Sequence, residues 1–367
     1  MSTHGGPHGG NVWQVAEELG VPAREILDFS ANINPRGLPP RAQDRLARDA
    51  ADPRLLGFYP DPSARVLRKA LSEKLSVPAE AIAVGPGAEA LLAPILRSLE
   101  ARRALVPVPA FSEYRRVCRQ QQVEFAPFPL DRAEGFRIPV NHLCESIDGC
   151  DVVILNNPHN PSGAMLDSHE VRRVFEAAAA ALLLDEAFID YIPHASMVRE
   201  AVAIPGRIVL RSLTKFYGCP ALRVGYAVAH PESIRRVQSL LPAWPVTQTA
   251  IDALAEAVAD REYAETSLRE NAVERDRLTE ALSALGLIVF PSAANYLFLE
   301  LRPDMPAASE LRSRLIGNHR ILIRDCDSYE GLMPGRYVRV AVRAAEENRR
   351  LIQAFSGELH PREVEGA

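Results

Sequence analysis

The sequence lacks several features that would assign it to other classes of protein. Five cysteines occur, but no two form a CxxC pair and none combines with histidines at zinc-ligand spacing. This absence predicts free thiols, a reducing compartment and no metal site. The formal net charge is −5, so no basic excess favours a nucleic-acid partner.

Segments that direct a chain to a membrane are also missing. The first ten residues do not show a basic region followed by an apolar stretch, which is the pattern of a signal peptide. The longest apolar stretch, residues 177–184, is too short to cross a bilayer. We therefore expect a cytoplasmic protein with no membrane partner.

The order of the predicted elements indicates the fold class. The 367 residues have ordinary globular composition, with 47% hydrophobic and 6% aromatic residues. Short apolar runs alternate with helical patterns from about residue 81 to residue 240, which predicts a large α/β domain with a mostly parallel central sheet. After a charged helical stretch over 247–285, short strands and a final helix predict a smaller α+β domain.

These patterns divide the chain into three parts. Residues 1–45 contain many Gly, Pro, Asn and His residues and predict an arm that joins the small domain and the substrate site. Residues 46–245 predict the large domain, and residues 246–367 predict the small one.

Polar side chains follow several predicted strands and recur in the order amide, acid, lysine, arginine. Asn160 lies in a turn of sequence Asn-Pro-Ser-Gly, Asp185 follows the apolar run 181–184, and Lys215 and Arg223 follow the run 208–211. The carboxyl ends of parallel strands meet at one edge of a sheet, where ligands bind. A lysine flanked by apolar residues is poorly solvated, which lowers its pKa and frees its amine to react with an aldehyde.

Each motif alone also has an ordinary structural explanation. Asp185 could cap a helix, Asn160 could form an Asx-turn, Phe111 could be a core aromatic, and Lys215 could lie at the surface. The glycine turn before Ala88 could simply join a strand to a helix. Together, however, the motifs suit one cofactor, pyridoxal phosphate, which needs an amine, a ring-nitrogen partner and a phosphate site.

Separate groups are expected to hold each part of this cofactor. Asp185 would hold the proton of the ring nitrogen, Asn160 would donate to the ring oxygen, and Phe111 would stack on the ring. Ala88 and Glu89, at a helix N-terminus, would bind the phosphate together with the side chains of Ser212 and Arg223.

The chain resembles the fold-type I pyridoxal-phosphate enzymes and, among them, the class II aminotransferases, from about residue 5 to residue 355. The family pattern S-x-x-K occurs at 212–215, and the resemblance implies that Lys215 binds the cofactor covalently and that Asp185 is its catalytic partner. It also implies that Tyr59 reaches the phosphate of a neighbouring subunit. A homodimer with a shared site is therefore expected.

Two subfamilies are similar to this chain, the histidinol-phosphate aminotransferases and the threonine-phosphate decarboxylases. The latter are closer because of six segments, HGGN at 8–11, DFSANINP at 28–35, DEAFID at 185–190, SLTKFY at 212–217, ILIRDC at 321–326 and YVRVAVR at 337–343. This resemblance implies that Arg339 binds a substrate carboxylate. It implies that His8, Asn32 and Arg324, with Asn160, line the rest of the substrate pocket and receive a phosphate. Otherwise, the arm could be a flexible tail and the arginines could form surface ion pairs.

One departure from the family bears on the reaction. Phe188 stands where the family often has a tyrosine that bonds the ring hydroxyl, which argues against a standard aminotransferase. We therefore expect decarboxylation of a small phosphorylated amino acid, L-threonine O-3-phosphate, to (R)-1-aminopropan-2-yl phosphate in cobalamin biosynthesis. The alternatives are histidinol-phosphate aminotransferase and a non-catalytic pyridoxal-phosphate regulator, which the absence of a basic patch disfavours.

Overall fold

The computed structural model describes residues 9–177 and 180–359 of the chain. The strands in chain order are β1 (Leu27–Asp28), β2 (Ile82–Gly85), β3 (Arg103–Val108), β4 (Glu124–Pro129), β5 (Val152–Asn156), β6 (Ala181–Asp185), β7 (Arg207–Ser212), β8 (Gly225–Ala229), β9 (Ile288–Val289), β10 (Tyr296–Glu300), β11 (Ile321–Leu322), β12 (Arg324–Asp325) and β13 (Tyr337–Ala341). The helices are α1 (Val12–Leu19), α2 (Pro40–Ala51), α3 (Pro53–Leu56), α4 (Arg65–Leu75), α5 (Ala88–Ser98), α6 (Ser112–Gln120), α7 (Val140–Glu145), α8 (Ser168–Ala177), α9 (Val198–Ala203), α10 (Leu213–Phe216), α11 (Pro231–Gln238), α12 (Gln248–Ala259), α13 (Arg261–Ala284), α14 (Ala308–His319) and α15 (Ala345–Leu359).

A seven-stranded sheet lies at the centre of the large α/β part, in the order β2-β8-β7-β6-β5-β3-β4. Strands β3 to β7 pair in parallel, and β8 runs antiparallel to both of its neighbours. Successive side chains of β6 point to opposite faces, so Leu182 and Leu184 join one apolar cluster while Leu183 joins another. Helices cover both faces, which explains the continuous apolar runs of a parallel sheet. The predicted mostly parallel α/β fold is confirmed.

A second, antiparallel sheet forms the C-terminal part in the order β12-β13-β10-β9. Its apolar face packs against α13, α14 and α15 through residues such as Leu278, Leu311 and Phe355. The N-terminal arm joins this part, because β1 pairs in parallel with β11, with Leu27 opposite Ile321. The arm also touches the central domain, since Asn34 N–H donates to the Lys215 carbonyl at 3.0 Å.

Several elements differ from the sequence prediction. The stretch 247–285 is two helices, because the Asp260 side chain accepts from the Tyr263 N–H and begins a new helix. The predicted strand 321–324 is divided into β11 and β12, which belong to different sheets. Six helices were not predicted, namely α2, α3, α7, α9, α10 and α14. The domain boundaries at residues 45 and 245 stay predictions, although α2 runs through residue 45 and α12 packs against α2 and α4.

Three findings bear on the expected absences. No helix among the described residues is long and apolar enough to cross a membrane. Within the same residues, no group of three His, Cys, Asp or Glu side chains is arranged to hold a metal ion. All five cysteines lie in the described ranges as free thiols.

Candidate active site

A cavity of about 440 Å³ lies at the carboxyl edge of the central sheet, where β5, β6 and β7 end. The arm, the large domain and the C-terminal sheet all contribute to its walls. Eleven of the predicted site residues line it, namely Asn32, Ala88, Glu89, Phe111, Asn160, Asp185, Ser212, Lys215, Arg223, Arg324 and Arg339. The remaining two predicted residues are His8, which lies outside the described residues, and Tyr59.

Lys215 lies on α10, a single helical turn that follows β7 directly. The Ser212 side chain caps this turn by accepting from the Thr214 N–H. The arm residue Asn34 binds the turn from the other side, through the Lys215 carbonyl and, at 2.8 Å, the Phe216 carbonyl. Burial, together with the positive charges of Arg339 and Arg223, lowers the pKa of the Lys215 amine to about 8. An amine with this pKa is partly neutral near physiological pH and is therefore suited to attack an aldehyde.

Asp185 is the last residue of β6, and its carboxylate faces the cavity. The Tyr114 hydroxyl donates to Asp185 Oδ2 at 2.6 Å, and the Ala187 N–H donates to Oδ1 at 2.9 Å. Burial raises the pKa of Asp185. The hydrogen bonds from Tyr114 and Ala187 and the charge of Lys215 oppose this rise. A cationic partner in the cavity would stabilise the ionised carboxylate.

The N-terminus of α5 forms a cradle for an anion. Gly87 precedes the helix with φ of 102° and provides no side-chain cap, so the first-turn N–H groups at Ala88 and Glu89 remain available to a ligand. The guanidinium of Arg223 closes this cradle, because a Cβ added to Gly87 would lie 2.8 Å from Arg223 Nη2. A phosphate fits between the helix end and the arginine.

Asn160 is held in the turn between β5 and α8. The Asn156 side chain accepts from the Asn160 N–H at 2.7 Å, and Asn156 Nδ2 donates to the Asp185 carbonyl at 2.8 Å. The Asn160 Oδ1 accepts from Arg339 and from the Tyr329 hydroxyl. Among the described residues none accepts from Asn160 Nδ2, so this amide can donate to a ligand in the cavity.

Two arginines form the opposite wall of the cavity. Arg324 and Arg339 face each other directly across β12 and β13, and both are buried. Arg339 donates to Asn160 and, at 3.0 Å, to the Ser30 carbonyl. No carboxylate in residues 9–177 or 180–359 forms an ion pair with Arg339, whose Nε–H also has no partner there. A buried guanidinium in this state favours an anionic ligand.

The arm reaches the cavity through residues 9 and 30–32. Gly9 packs so tightly that an added Cβ would lie 2.2 Å from the Ser30 carbonyl oxygen. Asn32 is buried, and its Oδ1 has no hydrogen-bond partner among the described residues. His8 lies outside the described residues, so its role stays a prediction.

Three aromatic residues named in the sequence analysis, Phe111, Phe188 and Tyr59, differ in their position relative to the cavity. Phe111 lines the cavity and packs edge-to-face on Tyr114, with ring centroids 5.7 Å apart. Phe188 also lines it and packs edge-to-face on Tyr296 at 5.0 Å. Tyr59 does not line the cavity of its own chain; it is 78% exposed and stacks on Trp244 at 4.3 Å. Its predicted role in a neighbouring subunit stays a prediction.

Several residues of the cavity were missed by the sequence analysis. Tyr114 could have been found, because it lies in the first turn of α6, three residues after Phe111, which is the N-cap residue of that helix. Arg116 is also on α6 and binds Glu89 and Glu113 at the cavity wall. Tyr329, in the turn after β12, has no sequence signal that points to the site.

The polar groups of this cavity fit pyridoxal phosphate. The uncapped N-terminus of α5 and Arg223 match the cofactor phosphate, and Asp185 matches the protonated ring nitrogen. Lys215, whose lowered pKa favours the neutral amine, matches the aldehyde. Residues 24–355 match the family described as aminotransferase class I and II. The chain belongs to this family of pyridoxal-phosphate enzymes, and pyridoxal phosphate is its cofactor.

Relatives with two activities are similar to the chain. It is 35% identical over 366 residues to the threonine-phosphate decarboxylase of Salmonella typhimurium strain LT2, covering 98% of each chain. It is 30% identical over 348 residues to the histidinol-phosphate aminotransferase of Methanocaldococcus jannaschii, covering 93% of this chain and 91% of that one. The adenosylcobalamin biosynthesis bifunctional protein CobDQ of Leptospira interrogans is 31% identical over 356 residues, which are 95% of this chain but 40% of that protein.

A solved structure shares the fold over most of the chain. The L-threonine-O-3-phosphate decarboxylase of Porphyromonas gingivalis superposes with a TM-score of 0.79 and 26% identity, covering 90% of this chain and 98% of that one. The fold-type I architecture expected from the sequence is therefore confirmed.

Proposed function

We propose that the protein decarboxylates L-threonine O-3-phosphate to (R)-1-aminopropan-2-yl phosphate. The observation that supports this proposal most is the pair of buried arginines, Arg324 and Arg339, on the cavity wall that faces Lys215. A substrate with a carboxylate and a phosphate would provide one anion for each guanidinium. The relative from Salmonella typhimurium has this activity in its name and matches the chain from end to end.

The residues of the cavity have separate roles in this proposal. Bound pyridoxal phosphate would accept the electron pair released from a bond at the substrate Cα. Asp185 would hold the ring-nitrogen proton, Asn160 Nδ2 would donate to the ring oxygen, and the α5 N-terminus with Ser212 and Arg223 would hold the cofactor phosphate.

Placement of the substrate carboxylate would decide which bond breaks. Arg339 is fixed by Asn160 and the Ser30 carbonyl, so its remaining N–H groups have a defined direction into the cavity. They would hold the α-carboxylate in the orientation from which CO2 leaves. The Cα–carboxylate bond would break, CO2 would depart, and one proton would be taken up at Cα, with the protonated Lys215 amine as a candidate donor.

A second candidate is histidinol-phosphate aminotransferase. It is favoured by the relative from Methanocaldococcus jannaschii, whose identity of 30% is close to that of the decarboxylase. Phe188 argues against it, because the cavity has a phenyl ring where the family often provides a hydroxyl to the cofactor. The two reactions differ in the Cα bond that breaks and in the need for a keto acid.

One incubation separates the two candidates. The cofactor-loaded protein is given L-threonine O-3-phosphate with no keto acid, and released CO2 and product amine are measured. We expect equal amounts of CO2 and amine with multiple turnovers. Turnover only with histidinol phosphate plus 2-oxoglutarate would contradict the decarboxylase proposal and support the aminotransferase. The name of the Leptospira relative leads us to extend the proposal to cobalamin biosynthesis, where this amino alcohol phosphate would be used.

We also propose that the active unit is a homodimer in which Tyr59 acts in the partner's site. Tyr59 and Trp244 form an exposed aromatic stack, and the nearby Phe58 and Leu56 are also exposed, at 73% and 61%. An apolar surface of this kind favours association with another chain. If a second copy of the chain covered this surface, Tyr59 would lie at the phosphate site of the partner, since it does not line the cavity of its own chain.

Subunit mixing tests the shared site. The Tyr59→Ala and Lys215→Ala variants should each be weakly active or inactive, but a hybrid dimer would contain one site with both residues intact. Mixing and reassembling them should restore up to about a quarter of wild-type activity. Activity that stays at the mean of the separate variants, or a monomer by sedimentation, would refute the shared site.

A further inference from the structure

We infer that Tyr329 is a positioning residue that sets the separation of Arg324 and Arg339 and thereby selects ligands with two anionic groups. The inference deepens the proposed function and rests on it, because it assigns the carboxylate and the phosphate of one substrate to these two arginines. Tyr329 lies in the turn 326–330 after β12, which we call the Tyr329 turn.

The guanidinium groups of Arg324 and Arg339 repel each other unless another group lies between them. Their Cα atoms are direct partners across the antiparallel pair of β12 and β13, and their side chains are only 4% and 6% exposed. Like charges directly opposite each other on neighbouring strands repel, and burial strengthens that repulsion. The separation of the guanidinium groups therefore has to be fixed by their surroundings.

Tyr329 contacts both arginines with different parts of one side chain. Its hydroxyl oxygen accepts from Arg339 Nη1 at 3.1 Å. Its ring faces the guanidinium of Arg324, which lies 5.6 Å from the ring centroid. The ring face attracts a cation, and the hydroxyl oxygen is a hydrogen-bond acceptor, so a single rigid group holds one arginine at each end.

The hydroxyl also connects to the residue predicted to bind the cofactor ring. Tyr329 donates to Asn160 Oδ1 at 3.3 Å, and Arg339 Nη1 donates to the same oxygen. These three bonds form a closed triangle of Tyr329, Asn160 and Arg339. The triangle fixes the direction of the Arg339 guanidinium and keeps Asn160 Nδ2 turned toward the cavity.

The neighbours of Tyr329 anchor its turn on two sides. Ser328 Oγ accepts from Arg324 Nη2 at 2.6 Å. Glu330 forms an ion pair with Arg115 on α6, which belongs to the large α/β part. The Tyr329 N–H donates to the Cys326 carbonyl at 3.0 Å. Because the turn is bound at both ends, the tyrosine ring has a defined place between the two guanidinium groups.

This arrangement has a consequence for specificity. Two guanidinium groups at a fixed separation match a small molecule that has a carboxylate and a phosphate at the corresponding distance. A ligand that lacks the carboxylate leaves Arg339, which has no carboxylate partner among the described residues, without a counter-ion, and this costs binding free energy. Tyr329 therefore affects ligand choice without taking part in bond breaking.

The test uses three primary amines that differ in their anions. L-Threonine has only the carboxylate, O-phosphoethanolamine has only the phosphate, and L-threonine O-3-phosphate has both. Each is mixed rapidly at increasing concentration with the full-length, cofactor-loaded protein, and the initial change in the visible absorption band of the cofactor, before turnover, gives an apparent dissociation constant. This measurement does not depend on which substrate bond breaks.

The variants separate the two halves of the Tyr329 side chain. Tyr329→Phe keeps the ring below Arg324 but removes the hydroxyl, so binding of both carboxylate ligands should weaken about tenfold. O-Phosphoethanolamine binding should stay within about twofold, because the ring face remains. Tyr329→Leu should also weaken O-phosphoethanolamine binding several-fold. Tyr337→Phe is the matched control, since Tyr337 stacks on Phe298 away from the cavity, and it should leave all three constants unchanged.

The outcomes distinguish the inference from the proposed function. If Tyr329→Phe binds all three ligands like the wild type, or weakens all three equally, the selective role of Tyr329 is refuted. The proposed function survives that result if the wild type still prefers the ligand with two anions. A wild type without that preference overturns both. Tyr329→Phe keeps the test decisive even if Tyr329→Leu fails to fold.

Discussion

The protein contains two groups of buried or half-buried charges that have similar residue types and opposite environments. The internal network consists of Lys74, Glu186, Asp190, Arg211 and Tyr217. The pocket set consists of Asp185, Lys215, Arg324 and Arg339. Adjacent residues belong to different groups, since Asp185 faces the cavity while Glu186 binds Arg211.

The charges of the internal network compensate one another. Arg211 donates to Glu186 at 3.0 Å and to Asp190 at 2.9 Å, and Lys74 donates to the Tyr217 hydroxyl with Asp190 4.0 Å away. Burial acts to lower the pKa of Arg211, but the charge of Asp190 and the other neighbours outweigh it and raise that pKa. The protein itself therefore provides the counter-charges of this network, and removal of one partner would leave an uncompensated buried charge.

The pocket set is arranged in the opposite way. Burial and the charges of Arg339 and Arg223 lower the pKa of Lys215 to about 8, although the charges of Asp185 and Asp28 oppose this shift. Among the described residues, Arg339 has no carboxylate partner, whereas Arg211 has two. The contrast teaches that burial of a charge does not define its role. What defines it is whether the protein or a ligand provides the counter-charge.

The largest expected effect comes from removing the pocket lysine. Lys215→Ala should lower turnover by about 10⁴-fold or more, because no other amine lies in the pocket set to react with the cofactor. The visible absorption band of the bound cofactor should change as well. Lys74→Met, in the internal network, is the control and should retain most of the activity while lowering the melting temperature. Retained turnover in Lys215→Ala would refute the role of this lysine.

The lowered pKa of Lys215 predicts a large difference in chemical reactivity. The chain has three lysines, Lys69, Lys74 and Lys215. With a pKa of about 8 instead of 10.5, the Lys215 amine has about 300-fold more of its neutral form at neutral pH. In the cofactor-free protein, acylation of Lys215 followed by mass spectrometry should rise with pH and level off above about pH 8.

Two comparisons check this reactivity. Lys69 is 80% exposed and serves as the surface reference in the same sample. In Arg339→Leu, loss of a nearby positive charge should move the Lys215 profile to higher pH. A Lys215 profile that coincides with that of Lys69 would show that burial does not tune the amine.

Matched arginine substitutions should separate activity from stability. Arg339→Leu removes a ligand-facing charge, so kcat/KM should fall about 100-fold while the melting temperature stays equal or rises. Arg211→Leu leaves Glu186 and Asp190 without their counter-charge and should cost about 3–5 kcal/mol of unfolding free energy. Equal losses of stability in both variants would erase the distinction between pocket set and internal network.

The smallest expected effect tests how the arm supports Arg339. Gly9→Ala places a Cβ against the Ser30 carbonyl, which is an acceptor for Arg339. The displaced carbonyl should raise KM about tenfold with little change in melting temperature. Gly20→Ala is a control in the same arm, because an added Cβ there meets no atom within 4 Å, although its positive φ adds backbone strain. Unchanged KM in Gly9→Ala would indicate that the arm does not position the substrate.

Much of the sheet was predictable because its strands are continuous apolar runs. The runs before Asp185 and Lys215 lie within one residue of their observed bounds, since a strand buried on both faces has little freedom in composition. The split of 321–324 was not predictable, because two-residue strands are decided by their partners. Tyr329 was missed because its role depends on a contact with Asn160, which is far away in the chain.

The sequence by itself determined the α/β class, the strand ends and the residue types that suit pyridoxal phosphate, because these follow from local apolar patterns and from side-chain chemistry. Only the tertiary structure decided which charges are compensated. Asp185 and Glu186 are adjacent and both have a carboxylate. Arg211 and Arg339 are the same residue type, although they are far apart in the chain. Long-range packing brings Glu186 and Asp190 to Arg211 and leaves Arg339 facing the cavity, and such contacts have no signal in a single sequence.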